Sequence, residues 1–377
     1  MTRLRVGVVG CGLIAQIAHL PCLQKLAQSF EISAICATSP SRLDQVGQRY
    51  HVPKRYLDYR ELVEQDLDAV FVLTRDHAEI AIAAAERGKH VFVEKPIAFN
   101  LEEADAMTAC ARKHGVKLVV GYMRRYDPGF QRAQKIFEET KGDRLVRVHS
   151  SVGLPFRIVQ EMYDLIPAQV KTEKEITSSK VREERALLQA IGQENSGLLR
   201  AYSLLLQLWS HNINLLRGAF GDPRQINYAE VRLGKQTTLL PAPLQILAVI
   251  DYGTELSCIW ESRAFMANET WDEELALFSS ERTIRVRFPF PYLKYTPAAV
   301  SVEETVKGAM VQQEIVTSYD EAFKREVRHF YDCIVKDTQP ITSGEDARKD
   351  LELAIALINK AAQQAEKFYV SGGNPVP

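Results

Sequence analysis

The tripeptide Glu94-Lys95-Pro96 is the most chemically informative stretch of this 377-residue chain. It closes the apolar run 90–93, whose composition is typical of a buried strand. A lysine that follows such a strand lies at the carboxyl edge of the sheet, where open α/β sheets bind their ligands. Because the proline fixes the local backbone and an acid precedes the lysine, we interpret Lys95 as a functional cation. The alternative is an ordinary surface lysine at a strand end.

A glycine-rich turn follows the apolar run 5–9 near the start of the chain. In Gly10-x-Gly12-x-x-Ala15 the first glycine permits a tight turn, and the second lets a phosphate approach the backbone. The small third residue lets helix and strand pack closely, and the helix N-terminus attracts a pyrophosphate. The motif predicts a dinucleotide cofactor that is held by five residues of the turn and helix start: Gly10, Gly12, Leu13, Ile14 and Ala15. A chance glycine turn in an α/β protein is the alternative.

The end of the second predicted strand, 31–36, bears on the choice between the two nicotinamide dinucleotides. An acidic residue there binds the ribose hydroxyls of NAD, whereas a basic residue in its place suits the 2′-phosphate of NADP. No carboxylate occurs there before Asp44, and Ser39 and Arg42 could hold a phosphate. The sequence therefore favours NADP, with NAD as the alternative cofactor. Arg42 could equally cap or decorate the following helix.

Three further side chains at strand ends are assigned to the cofactor. Thr74 and His77 follow the predicted strand 69–73, and Glu94 directly precedes Lys95. Since the carboxyl ends of parallel strands share one edge of a sheet, we predict that these side chains approach the cofactor. For His77, a structural role at the start of the next helix is the stronger alternative. His19, close after the glycine turn, is predicted to be structural.

A strongly apolar helix is predicted over residues 198–218, and it carries one polar face. Ser203, Gln207, His211 and Asn214 follow one another at steps of four, four and three residues, so they line this face. The face consists of uncharged hydrogen-bonding groups and one histidine, which is more typical of a partly buried cleft wall than of a solvated stripe. The alternative is a structural histidine on an amphipathic helix.

Tyr122 and Arg125 follow the last predicted strand of the N-terminal half, 117–121. They too belong to the carboxyl edge of the sheet, where they could face a polyhydroxyl substrate. Anchoring of a hinge between domains is the competing role, and for Arg125 it is slightly favoured.

The order of strand and helix patterns predicts an α/β fold with two domains. Residues 1–122 alternate strands with helices, which is typical of a doubly wound parallel sheet with right-handed crossovers, the Rossmann arrangement. In residues 123–370 a strand is predicted over 144–152, and helices return near 320–336 and 345–367. Between 225 and 318 strand patterns dominate, at 225–233, 244–251, 255–262, 273–279, 282–288 and 311–316. We expect this second domain to bind the substrate.

Composition and charge exclude several classes of protein. The chain is 46% hydrophobic and 25% charged, with a formal net charge of -1, so no basic field exists to hold nucleic acid or an anionic membrane. The first residues do not have the apolar core and cleavage site that are typical of a signal peptide, and no apolar stretch of the sequence reaches transmembrane length. Six scattered cysteines without a Cys-x-x-Cys pair favour reduced thiols in a cytoplasmic protein, and they predict neither a metal site nor a disulfide framework.

Several of these segments resemble the Gfo/Idh/MocA family, whose members include glucose–fructose oxidoreductase and inositol dehydrogenase. The resembling segments are 10–15, 84–96, 121–128, 211–221 and 330–346. The resemblance implies an N-terminal Rossmann domain and a C-terminal α/β domain with a large, mostly antiparallel sheet. It also implies sugars, sugar nucleotides or cyclitols as substrates, and a homodimer or homotetramer that assembles through this sheet.

The resemblance places the family's catalytic lysine at Lys95 and its histidine at His211. The family usually has aspartates four residues before and three residues after this histidine, where the present chain has Gln207 and Asn214. The two amides preserve hydrogen bonding but lack the charge that raises the basicity of a histidine.

The sequence as a whole therefore predicts hydride transfer between a nicotinamide and a secondary alcohol or ketone. Lys95 would stabilise the developing alkoxide and His211 would move the proton. Four side chains would contact the substrate: Tyr122, Arg125, Gln207 and Asn214. Two alternatives stay open, a lyase or epimerase that retains its cofactor and a non-catalytic NAD(P)-binding sensor or scaffold.

Overall fold

A computed structural model describes residues 2–153, 156–167, 173–234, 244–264 and 270–370. Its strands, in chain order, are β1 (Leu4–Val9), β2 (Phe30–Cys36), β3 (Lys54–Tyr56), β4 (Ala69–Val72), β5 (His90–Glu94), β6 (Leu118–Gly121), β7 (Arg144–Val152), β8 (Gln225–Leu233), β9 (Leu244–Asp251), β10 (Leu256–Ala264), β11 (Trp271–Ser279), β12 (Arg282–Arg287), β13 (Ala299–Val306) and β14 (Ala309–Ile315).

The α-helices are α1 (Leu20–Lys25), α2 (Pro40–Arg49), α3 (Tyr59–Val63), α4 (Ala78–Glu86), α5 (Leu101–Lys113), α6 (Pro128–Glu139), α7 (Phe156–Met162), α8 (Glu173–Ile191), α9 (Ser196–Leu204), α10 (Ser210–Phe220), α11 (Ala322–Val335) and α12 (Gly344–Val370). Two π-helical turns adjoin them, Ala15–His19 before α1 and Leu205–Trp209 between α9 and α10. No helix in the described ranges has the length and apolarity needed to cross a membrane.

The first of two compact units consists of Met1–Met123, Val159–Ala190 and Ala322–Leu351. Its sheet has the strand order β3-β2-β1-β4-β5-β6, and every neighbouring pair is parallel. This is the order of the doubly wound dinucleotide-binding fold, in which ligands bind where the strand order reverses, between β1 and β4. The central strands are continuous apolar runs because helices cover both faces.

The second unit consists of Arg124–Ile158, Ile191–Glu321 and Glu352–Pro377. Its eight strands have the order β14-β13-β12-β11-β7-β10-β9-β8, and only the β7–β10 pair is parallel. Buried and exposed side chains alternate along β9 and β10, so one face of the sheet packs on a core. The prediction of a Rossmann sheet and a large, mostly antiparallel sheet is thus confirmed.

Local sequence signals account for several element boundaries. Asn100 Oδ1 accepts a hydrogen bond from Glu103 N at 2.8 Å, and Glu103 Oε2 accepts one from Phe99 N at 3.2 Å. These reciprocal bonds satisfy backbone donors that the first turn of α5 cannot pair internally. The start of α5 therefore follows from two side chains that lie three residues apart.

The structure differs from the sequence-based organisation in two respects. The segments Val159–Ala190 and Ala322–Leu351 belong to the first unit, although both fall within the predicted second domain. The predicted helix 198–218 is interrupted by the π-helical turn Leu205–Trp209, and Trp209 itself has a non-helical backbone (φ −116°, ψ 8°). A π-turn adds a residue to the helical repeat, so a face counted at 3.6 residues per turn does not continue unchanged through it.

Candidate active site

A cavity of about 730 Å³ opens at the carboxyl edge of the parallel sheet. Its wall includes the residues that follow β1, β2 and β4, so it lies at the reversal of strand order. Five of the predicted cofactor residues line it together: Gly10, Gly12, Ser39, Arg42 and Thr74. This position is where a doubly wound sheet binds a dinucleotide.

The two glycines of the turn have different structural roles. Gly10 has φ +102°, and a Cβ there would lie 2.8 Å from the backbone carbonyl carbon of Leu73. Any other residue at position 10 would therefore strain the turn itself. A Cβ on Gly12, in contrast, would meet no atom within 4 Å. The space above Gly12 is a cradle of the kind that a pyrophosphate needs at a helix N-terminus.

Ser39 and Arg42 are held at the cavity wall by local hydrogen bonds. Ser39 Oγ accepts a hydrogen bond from Arg42 N at 3.4 Å and so caps α2. The Nε of Arg42 donates to the carbonyl oxygen of Ile166 at 3.2 Å. The guanidinium is thereby kept beside the cavity, close to the end of β2.

The cavity wall also contains residues that were not predicted as part of the site, among them Asp58, Tyr59 and Arg60. Asp58 caps α3, and the Arg60 guanidinium lies 4.7 Å from the centre of the Tyr59 ring. They follow the edge strand β3, which has only three residues, two of them charged. So short and polar a strand carries no periodic signal, although an Asp followed by a short apolar helix is a usable helix-start signal.

Other predicted cofactor residues do not line the cavity. Ala15 is fully buried in the first π-helical turn, and Leu13 and Ile14 are half-buried. His77 is buried at the start of α4 and makes no capping hydrogen bond with its side chain. Burial lowers the pKa of His77 to about 4, so its imidazole is neutral at physiological pH.

Glu94 and Lys95 end β5 in different environments. Glu94 is buried and its Oε1 lies 2.6 Å from Nε2 of His19, whereas the Lys95 side chain is half-buried. Glu94 Oε2 also accepts a hydrogen bond from the backbone nitrogen of Lys95 at 3.1 Å. The carboxylate thus points into the first unit, and no sequence pattern predicted its contact with His19.

Two predicted substrate residues of the second unit are in direct contact. Arg125 Nη1 donates to the carbonyl oxygen of Asn214 at 3.1 Å and to its Oδ1 at 3.4 Å. Asn214 is fully buried, and the guanidinium of Arg125 lies so close to Gly218 that a Cβ there would overlap it. This contact fixes the start of the second unit to α10. Tyr122, in the first unit, is also fully buried.

The remaining polar residues of the predicted face lie around the second π-helical turn: Ser203 precedes it, Gln207 lies within it and His211 follows it. Gln207 Nε2 donates to Ser203 Oγ at 2.9 Å, and both residues are half-buried. His211 is half-buried on α10, one residue after Ser210 begins that helix. Trp209 anchors the turn, because it is fully buried and its indole nitrogen donates to Ser150 Oγ at 3.1 Å. π-Turns are frequent at functional sites.

Comparison with known proteins gives one match to a family model and many to individual relatives. Residues 4–122 match the GFO_IDH_MocA model, described as an oxidoreductase family with an NAD-binding Rossmann fold. A myo-inositol 2-dehydrogenase of Thermotoga maritima is 36% identical over 138 residues, which are 36% of this chain and 41% of that protein. For this relative and two other curated relatives, the aligned stretch spans 39% to 45% of the relative's own length.

Solved structures with the same fold cover almost the whole chain. An oxidoreductase from Agrobacterium radiobacter, in complex with NAD+, L-tartaric acid and magnesium, has a TM-score of 0.71 at 17% identity, covering 96% of this chain and 97% of that one. A 3-ketoreductase mutant from Actinomadura kijaniata, in complex with TDP-benzene and NADP, has a TM-score of 0.70 at 18% identity, covering 95% and 98%. The likeness to these structures shows the fold alone, while the family match makes residues 4–122 of this chain similar to the NAD-binding Rossmann domain of the Gfo/Idh/MocA oxidoreductases.

Proposed function

We propose that the chain is an NAD(P)-dependent oxidoreductase that transfers a hydride between the nicotinamide and a secondary alcohol or ketone of a sugar, sugar nucleotide or cyclitol. The observation that carries this proposal is the cavity at the strand reversal, with its open cradle at Gly12. Lys95, at the end of the neighbouring strand β5, supplies a cation at the same edge of the sheet. The relatives that act on inositol or on a ketone support the substrate class.

The proposed chemistry divides between two side chains. When bound, the nicotinamide supplies the hydride acceptor or donor. The Lys95 ammonium stabilises the charge that develops on the substrate oxygen, and His211 takes or returns the hydroxyl proton. Gln207 supports His211 through hydrogen bonding, while Asn214, which is held by Arg125, shapes the substrate side of α10.

We propose NADP as the preferred cofactor. Arg42 and Ser39 lie at the cavity wall after β2, and no carboxylate occupies the end of that strand. Arg60, whose Nη1 donates to Asp58 Oδ1 at 3.3 Å, adds a second guanidinium to the same wall. Two guanidinium groups suit the dianionic 2′-phosphate better than the ribose hydroxyls of NAD. Arg42→Ala should therefore weaken NADPH binding and leave NADH binding nearly unchanged.

Titration with NADPH and NADH, followed by nucleotide fluorescence, tests the cofactor proposal. Gly12→Val should keep the fold, because its Cβ enters open space, yet it should abolish binding because the side chain fills the pyrophosphate cradle. Gly88→Val is unsuitable as a control, because Gly88 has φ +68° and a valine would strain the backbone there. Ala83→Val, at a half-buried position of α4 outside the cavity wall, introduces the same side chain and serves as the control. Undiminished binding by folded Gly12→Val would refute the assignment.

We propose that the chain assembles as a homodimer or homotetramer through one face of the eight-stranded sheet. Four apolar side chains on this face are between 36% and 44% exposed: Leu145, Leu247, Val249 and Ile259. Ile259 of β10 pairs with Val249 of β9 and with Arg147 of β7, so the group is contiguous. Arg147 and Glu261 add both signs of charge to the same face, which suits contact with a second copy of the same surface.

We further propose that the protein acts in the cytoplasm. None of the six cysteines, all of which lie in the described ranges, forms a disulfide, and five of them are buried. Reduced, packed cysteines are typical of compartments in which thiol buffers keep disulfides from forming.

A further inference from the structure

A buried histidine–carboxylate pair lies directly behind the proposed catalytic lysine. His19 has no exposed surface and Glu94 is 8% exposed. The Nε2 of His19 donates to Oε1 of Glu94 at 2.6 Å, and the other oxygen accepts the backbone N–H of Lys95 at 3.1 Å. His19 belongs to the π-helical turn Ala15–His19, a distortion that is often retained where a side chain must be re-aimed for function.

The pair is enclosed in an aromatic box, which makes its hydrogen bond strong. The His19 ring has its centroid 5.2 Å from that of Phe92, 5.8 Å from Phe323 and 6.3 Å from Phe71. On the neighbouring strand, a Cβ at Gly121 would lie 3.4 Å from Glu94 Oε1, so the glycine leaves room for the carboxylate. In such an apolar enclosure, charges and hydrogen bonds interact far more strongly than in water.

A second carboxyl group, Glu326 of α11, is buried next to this pair. It is fully buried, and neither of its oxygens has a hydrogen-bond partner within the described ranges. Burial, and then the charge of Glu94, raise the pKa of Glu326 well above its usual value, so this acid stays neutral. Two buried carboxylates in one site cannot both ionise without a large cost.

The negative charge of the cluster therefore resides on Glu94. Burial alone would raise the pKa of Glu94, but the hydrogen bond and charge of His19 and the charge of Lys95 outweigh it and lower the pKa. His77, which feels the charges of both Glu94 and Lys95, is neutral. The groups that face Glu94 are thus one hydrogen-bonded histidine, one neutral histidine, one neutral acid and the lysine ammonium.

We propose that Glu94, fixed by His19, is a positioning residue whose single buried negative charge keeps Lys95 protonated and held at the end of β5. This inference rests on the proposed role of Lys95 in hydride transfer, because only the ammonium form can stabilise an alkoxide. It assigns Glu94 to the support of the lysine rather than to direct contact with the cofactor.

The protonation state of Lys95 can be measured without a substrate. Acetylation of the whole protein by acetic anhydride over a range of pH, read by mass spectrometry of the Lys95 peptide, reports the fraction of free amine. In Glu94→Gln the half-reaction pH of Lys95 should fall by about one unit, since an opposite charge at close range is lost. Exposed Lys113 serves as the internal reference and should not change.

Matched variants separate charge from shape. His19→Leu removes the donor that holds the Glu94 carboxylate in place, and this loss of position should lower the half-reaction pH of Lys95 as well, whereas His19→Gln keeps an N–H donor and should restore it. Glu326→Gln preserves the shape and neutrality of the protonated acid, so Lys95 should titrate as in the wild type. A shift in Glu326→Gln would contradict the assignment of the single charge to Glu94.

The proposal is overturned if Lys95 has the half-reaction pH of the wild type in both Glu94→Gln and His19→Leu. Thermal unfolding must show that at least one of these variants is folded. The proposed function fails on a different measurement. If Lys95→Ala retained turnover, hydride transfer assisted by Lys95 would be wrong, while the acetylation profiles would still report whether Glu94 controls the lysine.

Discussion

Glu94 and Lys95 are adjacent in the chain, yet the fold gives them opposite environments. The strand alternation of β5 sends the Glu94 carboxylate into the first unit, and Lys95 follows where the strand has ended. The sequence predicted the strand and the lysine at its end, because an apolar run followed by two charges and a proline is a local signal. It could not predict that Glu94 meets His19, a residue 75 positions away.

Because the buried carboxyl group of Glu326 is protonated, the free energy of unfolding of the chain should fall as the pH rises. The folded state keeps the proton to a pH well above 4.5, while the unfolded chain loses it near that value. Between these two values the folded state binds more protons, so its free energy of unfolding falls with increasing pH. Glu326→Gln removes this dependence without changing the shape of the side chain.

Thermal unfolding of wild type and Glu326→Gln between pH 5 and pH 8 measures this effect. As the pH rises, the free energy of unfolding of the variant should increase relative to that of the wild type, by at most about 1.4 kcal/mol per pH unit. Glu281→Gln, at an exposed position, provides the control and should show no such trend. A constant difference between Glu326→Gln and wild type across this range would show that Glu326 is ionised in the folded chain.

At the scale of elements, periodicity predicted most strands and helices, and its failures have physical causes. β7 (Arg144–Val152) and β8 (Gln225–Leu233) have the predicted bounds because their alternation is clear. The strand β13 was missed, since its exposed second half, Glu-Glu-Thr-Val, carries no apolar alternation. The π-helical turns were missed because one inserted residue leaves the surrounding helical pattern intact.

The π-helical turn Leu205–Trp209 decides whether Gln207 and His211 interact, because the two residues lie on either side of its end. In Gln207→Asp a carboxylate replaces the amide, and a carboxylate beside an imidazole favours the imidazolium. Since His211 must be neutral to accept a proton, the acidic limb of the pH–turnover profile should move to higher pH. Gln207→Asn, which shortens the side chain without adding charge, is the control. A profile unchanged in Gln207→Asp would mean that the two side chains do not touch.

At the scale of the whole molecule, the return of Val159–Ala190 and Ala322–Leu351 to the first unit could not be predicted. Both segments read locally as helical, and local pattern says nothing about which unit a helix joins. Glu183 and Asp164 of the segment Val159–Ala190 form ion pairs with Arg75 and Arg49, but each pair joins residues more than 100 positions apart. Such contacts emerge only from the tertiary fold.

If the exposed apolar face of the eight-stranded sheet forms the contact between subunits, a single charged residue introduced on this face should disrupt the oligomer. Ile259→Asp places a carboxylate at the centre of this face, where a buried unpaired charge would oppose association. Sedimentation analysis should show a dimer or tetramer for the wild type and a smaller species for Ile259→Asp. Val181→Asp alters an equally apolar, exposed residue of α8 and should leave the mass unchanged. A monomeric wild type would contradict the proposed assembly.

The central claim is hydride transfer assisted by Lys95, and the absorbance of reduced nicotinamide at 340 nm tests it most directly. Wild type and Lys95→Ala are each mixed with NADP+ or NAD+ and a panel of cyclitols, sugars and sugar nucleotides, after cofactor titration has shown that both proteins bind the nucleotide. The wild type should reduce the cofactor with at least one compound, and Lys95→Ala should do so roughly a hundred- to a thousandfold more slowly, because a preorganised charge is lost from the transition state. Equal rates in the two proteins would contradict the role of Lys95. Tight cofactor binding without reduction by any member of the panel would favour a redox-assisted lyase or epimerase, or a non-catalytic binding protein, over the dehydrogenase.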